Sequence, residues 1–77
     1  MKIIDLFPVI GSFEIIQIKF LKENLLTTYL TKTDNFYEIL KYANYDIISI
    51  NTKRIIDDLR HKDLAAFKID VESLDQS

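Results

Sequence analysis

The sequence contains no cysteine and no tryptophan, and it has a single glycine, a single proline and a single histidine. Without cysteine the chain forms no disulfide and cannot bind zinc through sulfur, so packing alone must stabilise it. We therefore expect a reducing compartment, the cytoplasm. The one glycine, Gly11, excludes the glycine-rich loops that bind nucleotide phosphates. The one histidine, His61, excludes a two-histidine metal site within one chain.

An excess of charge of one sign and long apolar runs are also lacking. Ten lysines and arginines oppose twelve aspartates and glutamates, so the formal net charge is only −2. No overall field draws the chain to nucleic acid or to an anionic membrane. The longest uncharged runs, residues 6–13 and 24–31, are far shorter than the roughly 20 residues of a membrane helix. Asp5 interrupts the apolar N-terminus, so we expect neither a signal peptide nor a membrane contact.

The remaining composition is that of an ordinary globular chain. The 77 residues are 48% apolar and 29% charged, which predicts one domain over residues 1–77 with a polar tail from about residue 73. A chain this short buries only about 60% of its unfolded surface, so a partner or a second copy would add stability. We expect a protein partner, with a homodimer as one form of it, and no cofactor or metal.

The first half of the chain predicts a helix and a hairpin. Apolar residues at helical spacing between Ile3 and Ile10 predict a helix over residues 3–10, with Asp5 as N-cap and Gly11 at its end. Residues 13–22 are apolar at both parities, which is typical of a central strand. Residues 25–33 are rich in threonine and leucine and predict its hairpin partner.

The second half alternates helices and strands. Asp34 and Asn35 precede Phe36, Ile39, Leu40 and Ala43 at helical spacing, which predicts a second helix. Residues 46–51 predict a strand, residues 54–62 a short helix capped by Thr52, and residues 67–72, which alternate strictly, a last strand. The fold class is therefore α+β: a mainly antiparallel four-stranded sheet with two or three short helices on one face.

Helices that cover one face of this sheet would leave the apolar residues of the other face uncovered. We expect the helices to cover Ile16, Ile18, Phe20, Ile48, Ile50, Phe67, Ile69 and Val71. The opposite parity contributes Phe13, Ile15, Leu21, Leu25, Tyr29, Tyr45 and Ile47. Monomers seldom expose so large an apolar patch, and tyrosine is favoured in interfaces. The candidate partner-binding residues are therefore Phe13, Ile15, Tyr29, Tyr37, Tyr45 and Ile47; for the tyrosines, completion of the core is the alternative.

Two charged segments give weaker alternatives. The densest basic stretch supplies candidate nucleic-acid contacts at Lys53, Arg54, Arg60 and Lys62. Asp57, Asp58 and Asp63 interrupt it, so a solvated, salt-bridged face is the stronger interpretation. The acidic residues of the C-terminal half, Asp70 and Glu72 among them, are a candidate mimic of nucleic-acid phosphates, but their local excess of charge is small.

Catalytic and metal sites have little support. Asp57 and His61 would share one face of a helix over residues 54–62 and offer a metal only two ligands. Asp57 and Asp58 form a carboxylate pair, but acid–base catalysis needs a concave pocket, for which so small a domain has little room. We therefore expect no enzymatic activity.

Three parts of the chain carry a resemblance to known proteins: the opening residues 1–10, the isoleucine-rich strand that follows, and Asp-Ile-Ile-Ser-Ile at residues 46–50. In these parts the sequence resembles short, mostly uncharacterised proteins of phages and prophages of low-GC bacteria. Such proteins commonly bind and block a host protein, as anti-CRISPR and other anti-defence inhibitors do. The resemblance implies a non-enzymatic protein-binding module that inhibits a host defence protein in the host cytoplasm. A small nucleic-acid-binding or regulatory protein that uses the 53–62 basic segment is the alternative.

Overall fold

Four strands form one mixed sheet in the order β2-β1-β4-β3. The computed structural model describes residues 1–57 and 62–75, and at Asp57 and Lys62 it describes the backbone alone. The strands are β1 (Ile15–Phe20), β2 (Leu25–Leu30), β3 (Ile47–Asp57) and β4 (Lys62–Val71). The α+β class is confirmed, but the sheet is mixed, because β1 and β4 are parallel while β1–β2 and β3–β4 are antiparallel.

The first helical segment occupies the predicted range. It consists of a 3-10 turn, Ile3–Leu6, followed by one α-helical turn, Phe7–Ile10, with the proline in its first turn. The cap differs from the prediction, because Lys2 is the N-cap and its backbone N–H donates to Asp5 Oδ2 at 2.9 Å. Asp5 thus satisfies a backbone donor from inside the first turn. Ile3 and Ile10 are fully buried against the sheet.

Strand β1 lies inside the sheet, as its apolar character at both parities predicts. Ile16, Ile18 and Phe20 are completely buried. A turn joins β1 to β2, and Asn24 adopts a left-handed conformation there with φ 52°. Asparagine tolerates that region better than other non-glycine residues, so it takes the place of the glycine that usually marks a hairpin.

The second helical segment is a nine-residue 3-10 helix, Asp34–Tyr42, and with the first it makes two helical segments in the described residues. Three residues per turn bring positions i and i+3 onto one side. Ile39 is fully buried, while Phe36 and Tyr42 pack against the core at the same spacing. Leu40 was expected on the buried stripe of an α-helix and is instead 54% exposed.

The predicted helix over residues 54–62 is wrong where the structure describes it. Strand β3 continues through Asp57, and β4 begins at Lys62. The two strands pair along their length, from Ser49 opposite Asp70 to Asp57 opposite Lys62. Backbone pairing and adjacent β-branched residues favour the strand over the helical spacing. Residues 58–61, including the candidates Asp58, Arg60 and His61, lie outside the described residues.

A β-bulge reverses the predicted orientation of the start of β3. Ile47 pairs with Val71, but Ser49 pairs with Asp70, so Ile48 is an extra residue. Ile47 consequently packs against the core, and Ile48 is 56% exposed. Ile50 keeps the predicted side, but it lies on an edge strand and remains 37% exposed. The prediction that Ile48 and Ile50 are buried is therefore wrong.

The beginning of the predicted polar tail, Ser73 and Leu74, is hydrogen-bonded to the rest of the fold. Ser73 is buried and its hydroxyl donates to one oxygen of the Glu23 carboxylate. The Leu74 N–H donates to the other oxygen at 2.9 Å, and the Tyr45 hydroxyl donates to the Leu74 carbonyl. These hydrogen bonds join the C-terminal segment to the β1–β2 turn through Glu23 and to the residues before β3 through Tyr45.

Candidate functional site

One face of the sheet has no helix or strand over it in the described part of the chain. Both helical segments contribute their buried residues to the core on the other face. The register determines which side chains share the uncovered side, because directly paired residues point the same way. We call this side the open face; it comprises Ile15, Gln17, Lys19, Leu26, Thr28, Leu30, Ser49, Asn51, Lys53, Ile55, Leu64, Ala66, Lys68 and Asp70.

Aliphatic side chains form one region of the open face. Ile15 lies between Leu30 of β2 and Ala66 of β4, and Ile15 and Ala66 are buried by their neighbours. Leu30 and Leu26 are 45% and 44% exposed. This apolar region could therefore be covered by a partner without any rearrangement of the sheet.

Polar side chains lie across the middle of the open face. The Ser49 hydroxyl donates to Asp70 Oδ2 at 2.6 Å, and Lys68 Nζ lies 3.8 Å from Asp70 Oδ1. The Gln17 amide donates to Thr28 Oγ1 at 3.4 Å. The Asp70 side chain is only 13% exposed and is engaged in this network. It is therefore not presented outward, as a mimic of nucleic-acid phosphate would require.

Two acceptors in this network lack a hydrogen-bond partner. Gln17 Oε1 and Asp70 Oδ1 are buried and receive no hydrogen bond from the described residues. A buried acceptor without a donor costs about 1–3 kcal/mol. Both atoms are enclosed by neighbouring side chains, and Asp70 Oδ1 lies 3.8 Å from the Lys68 ammonium group, so these acceptors belong to the interior of the network and do not offer a contact to a partner.

The open face has a positive balance of charge although the chain as a whole is acidic. It carries Lys19, Lys53 and Lys68 against a single carboxylate, Asp70. No aromatic residue is among its members in the described strands, because the aromatic side chains pack on the helix side. Proteins that bind single-stranded nucleic acid stack bases on exposed aromatic rings. The open face lacks that platform.

Strand β3 is the second uncovered feature, since it forms one edge of the sheet. The N–H groups of Glu14 and Leu21 donate to the carbonyls of Ala65 and Val71, so the odd-numbered residues of β4 point their backbone at β1. The backbone N–H and carbonyl groups of the even-numbered β4 residues therefore point at β3. Their partners on β3 are the odd-numbered residues from Ser49 onward, which point their own backbone groups at β4. The backbone groups of the even-numbered β3 residues consequently point away from the sheet: Ile50, Thr52, Arg54 and Ile56.

The N-terminus already occupies the beginning of this edge. Lys2 and Asp46 form an antiparallel bridge, and the Ile47 N–H donates to the Met1 carbonyl at 2.9 Å. The edge beyond Ile47 carries Ile48 and Ile56, which are 56% and 69% exposed. We call the outward backbone from Ile50 to Ile56 the free edge.

The six partner-binding candidates do not form one surface. Tyr29 is in the core, and Phe13, Tyr45 and Ile47 pack against it, so the expected aromatic sheet face is wrong. Tyr29 is on the helix side because its β1 partner is Ile16. Leu21 and Leu25, expected on the same face, are 44% and 42% exposed at the ends of the hairpin.

The remaining two candidates lie on different sides of the molecule. Ile15 belongs to the open face, where it is 5% exposed. Tyr37 lies on the second helical segment, and 68% of its surface is exposed. Contact of these residues with a partner stays a prediction.

The tyrosines, apart from Tyr37, complete the core. Tyr42 lies edge-on to Phe20 and to Tyr45, with centroids 5.3 and 5.2 Å apart. Burial raises the pKa of the Tyr42 hydroxyl, and a hydrogen bond with Tyr29 raises that pKa further. These side chains are therefore part of the packing that stabilises the fold.

The basic candidates are also divided. Lys53 belongs to the open face, whereas Arg54 takes the opposite parity and lies 3.8 Å from Asp63. Both members of that ion pair are largely exposed, with 81% and 59% of their side chains accessible, so it contributes little stability. Arg60 lies outside the described residues, and the side chain of Lys62 is not described. The two cations whose side chains are described, Lys53 and Arg54, lie on opposite faces of β3 and do not form a single patch.

No group of three or more potential metal ligands occurs within residues 1–57 and 62–75. The carboxylate pair and the histidine of the weighed metal and catalytic sites lie outside the described side chains. The residues that sequence reasoning missed are Gln17, Lys19 and Lys68, although alternation along β1 and β4 would have indicated them.

Comparison with protein-family models, curated proteins and solved structures finds no match to this chain. None of the helices described is long and apolar enough to span a bilayer.

Proposed function

We propose that this chain is a non-enzymatic protein-binding module whose open face binds an acidic, partly apolar surface of a partner protein. The observation that carries this proposal is the composition of the open face: three lysines and one aspartate beside exposed Leu26 and Leu30, with no helix or strand over them in the described chain. Interfaces combine an apolar centre with a few polar groups in this way.

Charge supports an acidic partner. Lys19 is half-buried and Lys53 is exposed, so both ammonium groups lie where a partner's carboxylates can reach them. Opposite charge across an interface speeds association and rejects basic competitors. Binding should therefore weaken as salt concentration rises, because the lysines are near the surface.

The absence of aromatic residues from the described open face favours protein over nucleic acid. Binding of nucleic acid through Lys53, Arg54, Arg60 and Lys62 remains the alternative, and it requires phosphate contacts alone to supply affinity. Lys53 and Arg54, the two cations that are described, take opposite parities on β3. This arrangement spreads the positive charge over two faces, which weakens the alternative.

The resemblance of the opening residues to phage and prophage proteins supports a finer proposal. In that setting the partner is a host protein, and binding of the open face inhibits it, as anti-defence proteins inhibit their targets. Cytoplasmic localisation follows from the same proposal, because the host targets of such inhibitors are in the host cytoplasm.

The test uses charge reversal on the open face with a matched control. Lys19→Glu combined with Lys53→Glu changes two open-face lysines, and Lys32→Glu combined with Lys41→Glu makes the same change of net charge elsewhere on the exposed surface. The probes are poly-L-glutamate and an oligothymidine, measured by amide shifts in two-dimensional NMR at low and high salt.

We expect poly-L-glutamate to shift amides around Lys19 and Lys68, and the open-face variant to weaken its binding by about tenfold relative to the control variant, a loss of about 1.4 kcal/mol. Equal weakening in both variants would mean that only net charge matters and would refute the proposal. Tighter binding of oligothymidine than of poly-L-glutamate would support the nucleic-acid alternative instead.

A further inference from the structure

We infer that an extended acidic segment of the partner adds to the sheet as a fifth strand, along the free edge of β3. This inference rests on the proposed function, and it adds the binding mode and the conformation of the bound segment. Addition of a strand to an exposed sheet edge is a common mode of peptide recognition, in which main-chain hydrogen bonds supply affinity.

The chain itself makes an antiparallel contact where this edge begins. The Ile47 N–H at the start of β3 donates to the Met1 carbonyl, and Lys2 forms an isolated antiparallel bridge with Asp46, the residue before β3. The edge continues beyond that contact for the rest of an eleven-residue strand. A segment bound to the free edge would follow the N-terminal residues along the same line.

Four residues of the free edge have backbone hydrogen-bonding groups that point outward. Ile50, Thr52, Arg54 and Ile56 direct their N–H and carbonyl groups away from β4, as the register and the Ala65 and Val71 carbonyls require. No described residue pairs with β3 on that side beyond Ile47. An added strand would satisfy these groups without breaking the β3–β4 ladder.

The side chains of β3 define the chemistry of the occupant. Lys53 and Arg54 lie at the middle of the strand on opposite faces, so a segment with carboxylates on both of its faces gains a cross-strand pair with Lys53. On the other face its carboxylate would share Arg54 with Asp63, whose exposed ion pair with Arg54 at 3.8 Å is weak. Ile48 and Ile56, which are 56% and 69% exposed, flank the cations and would pack against aliphatic residues of the segment.

A second copy of this chain fits the free edge less well than an acidic segment. Antiparallel pairing of two β3 strands through their outward backbone groups, centred on Lys53, would place the Lys53 side chains of the two copies directly opposite one another. Like charges placed opposite one another in a sheet are destabilising, and lysine on an edge strand is a common protection against self-association. The same cations that attract an acidic segment repel a second copy.

The experiment measures binding of the full chain to a short peptide of valines with two adjacent glutamates at its centre, which places one carboxylate on each face of the added strand. Thr52→Pro removes an outward N–H, while Thr52→Ala keeps it and removes the same side chain. Proline is tolerated on an edge strand when its N–H would have faced solvent. Unfolding curves of both variants establish that each is folded.

We expect the peptide to slow hydrogen exchange of the amides of Thr52, Arg54 and Ile56 in the wild-type chain. Thr52→Pro should weaken peptide binding by about tenfold relative to Thr52→Ala, because hydrogen bonds at the centre of the added strand are lost. A peptide of the same sequence with alternate backbone nitrogens methylated should not bind, and this measurement needs no variant of the chain.

Each contrary result has one meaning. Equal binding by Thr52→Pro and Thr52→Ala, or unchanged exchange at the free edge, overturns strand addition while leaving binding by the open face untouched. Loss of poly-L-glutamate binding in a Lys19→Glu variant, which leaves β3 unchanged, is the separate readout of the proposed function. If the amides of Thr52 and Ile56 exchange slowly without peptide, and exchange more slowly still as protein concentration rises, a second copy occupies the edge. This result would overturn the inference.

Discussion

At the scale of single residues, burial separates a core tyrosine, Tyr29, from a surface tyrosine, Tyr37. Tyr29 is 5% exposed in the core and Tyr37 is 68% exposed on the second helical segment, although both were candidates for a partner contact. The difference follows from pairing: Tyr29 lies opposite Ile16 on the side that the helical segments cover. The identity of a residue therefore says less about its role than the face to which the register assigns it.

Substitution of these two tyrosines should separate packing from surface. We expect Tyr29→Ala to lower the free energy of unfolding by about 3 kcal/mol, the usual loss when a large buried aromatic side chain is truncated. Tyr37→Ala should change it by less than about 0.5 kcal/mol. Urea unfolding measures both, and a comparable loss in the two variants would contradict the assignment of Tyr29 to the core.

Glu23 gives a residue-scale prediction that depends on pH. Hydrogen bonds from the Ser73 hydroxyl and the Leu74 N–H hold the pKa of its carboxyl below the usual value. The unfolded chain therefore binds the proton more readily, so the stabilisation is full above the ordinary carboxyl pKa and is lost as pH falls through the lowered pKa. Glu23→Gln should unfold more easily at neutral pH, and its difference from wild type should shrink as pH falls through that window.

The control for this prediction is Glu38→Gln, an exposed substitution on the second helical segment. Thermal unfolding across acid and neutral pH provides the comparison. If the Glu23 and Glu38 variants respond to pH alike, the hydrogen bonds to Ser73 and Leu74 do not stabilise the folded state.

At the scale of elements, local patterns predicted several parts of the fold correctly. The helix over residues 3–10, the central position of β1 and the hairpin to β2 follow from spacing and propensity within a few residues. The segment 54–62 was predicted wrongly because its isoleucines fit both periods, and only pairing with β4 decides between them. The bulge at Ile48 has no local signature, so the orientation of β3 could not be predicted.

The candidate site was predictable to a smaller degree. Lys53 and Arg54 were recognised as cations from the sequence, and strict alternation in residues 67–72 indicated one wet face. That Lys53 shares a face with Lys19 and Lys68 depends on the β3–β4 pairing and on the parallel pairing of β1 with β4, which joins residues 51 positions apart, such as Ile15 and Ala66. No local pattern contains that information.

The second helical segment allows an element-scale prediction. In a 3-10 helix the buried side repeats every three residues, so Ile39 faces the core while its neighbour Leu40 is 54% exposed. Ile39→Ala should cost about 3 kcal/mol of unfolding free energy, and Leu40→Ala less than about 0.5 kcal/mol. Similar losses at both positions would mean that this segment packs as an α-helix in solution.

In the molecule as a whole, the surfaces proposed to bind a partner are the open face and the free edge. The helical segments pack on the apolar core residues of one face of the sheet. The other face carries lysines and two exposed leucines. A domain this small has little surplus stability, so coverage of the open face or the free edge would stabilise the folded state by mass action.

Self-association is the simplest way to cover the free edge, and the cations of β3 oppose it. We expect the wild-type chain to sediment as a monomer at neutral pH. Replacement of Lys53 and Arg54 by threonine keeps the strand propensity and removes the repulsion, so that variant should associate with rising concentration and protect the Thr52 amide from exchange.

Lys32→Thr combined with Lys41→Thr removes the same charge away from β3 and serves as the matched control, which should remain monomeric. Association of both variants would assign the effect to net charge, and a wild-type dimer with a protected Thr52 amide would show that the cations do not guard the edge. If only the β3 variant associates, Lys53 and Arg54 reserve the edge for an occupant of opposite charge, since a neutral edge of the same length would be taken by the chain's own copies.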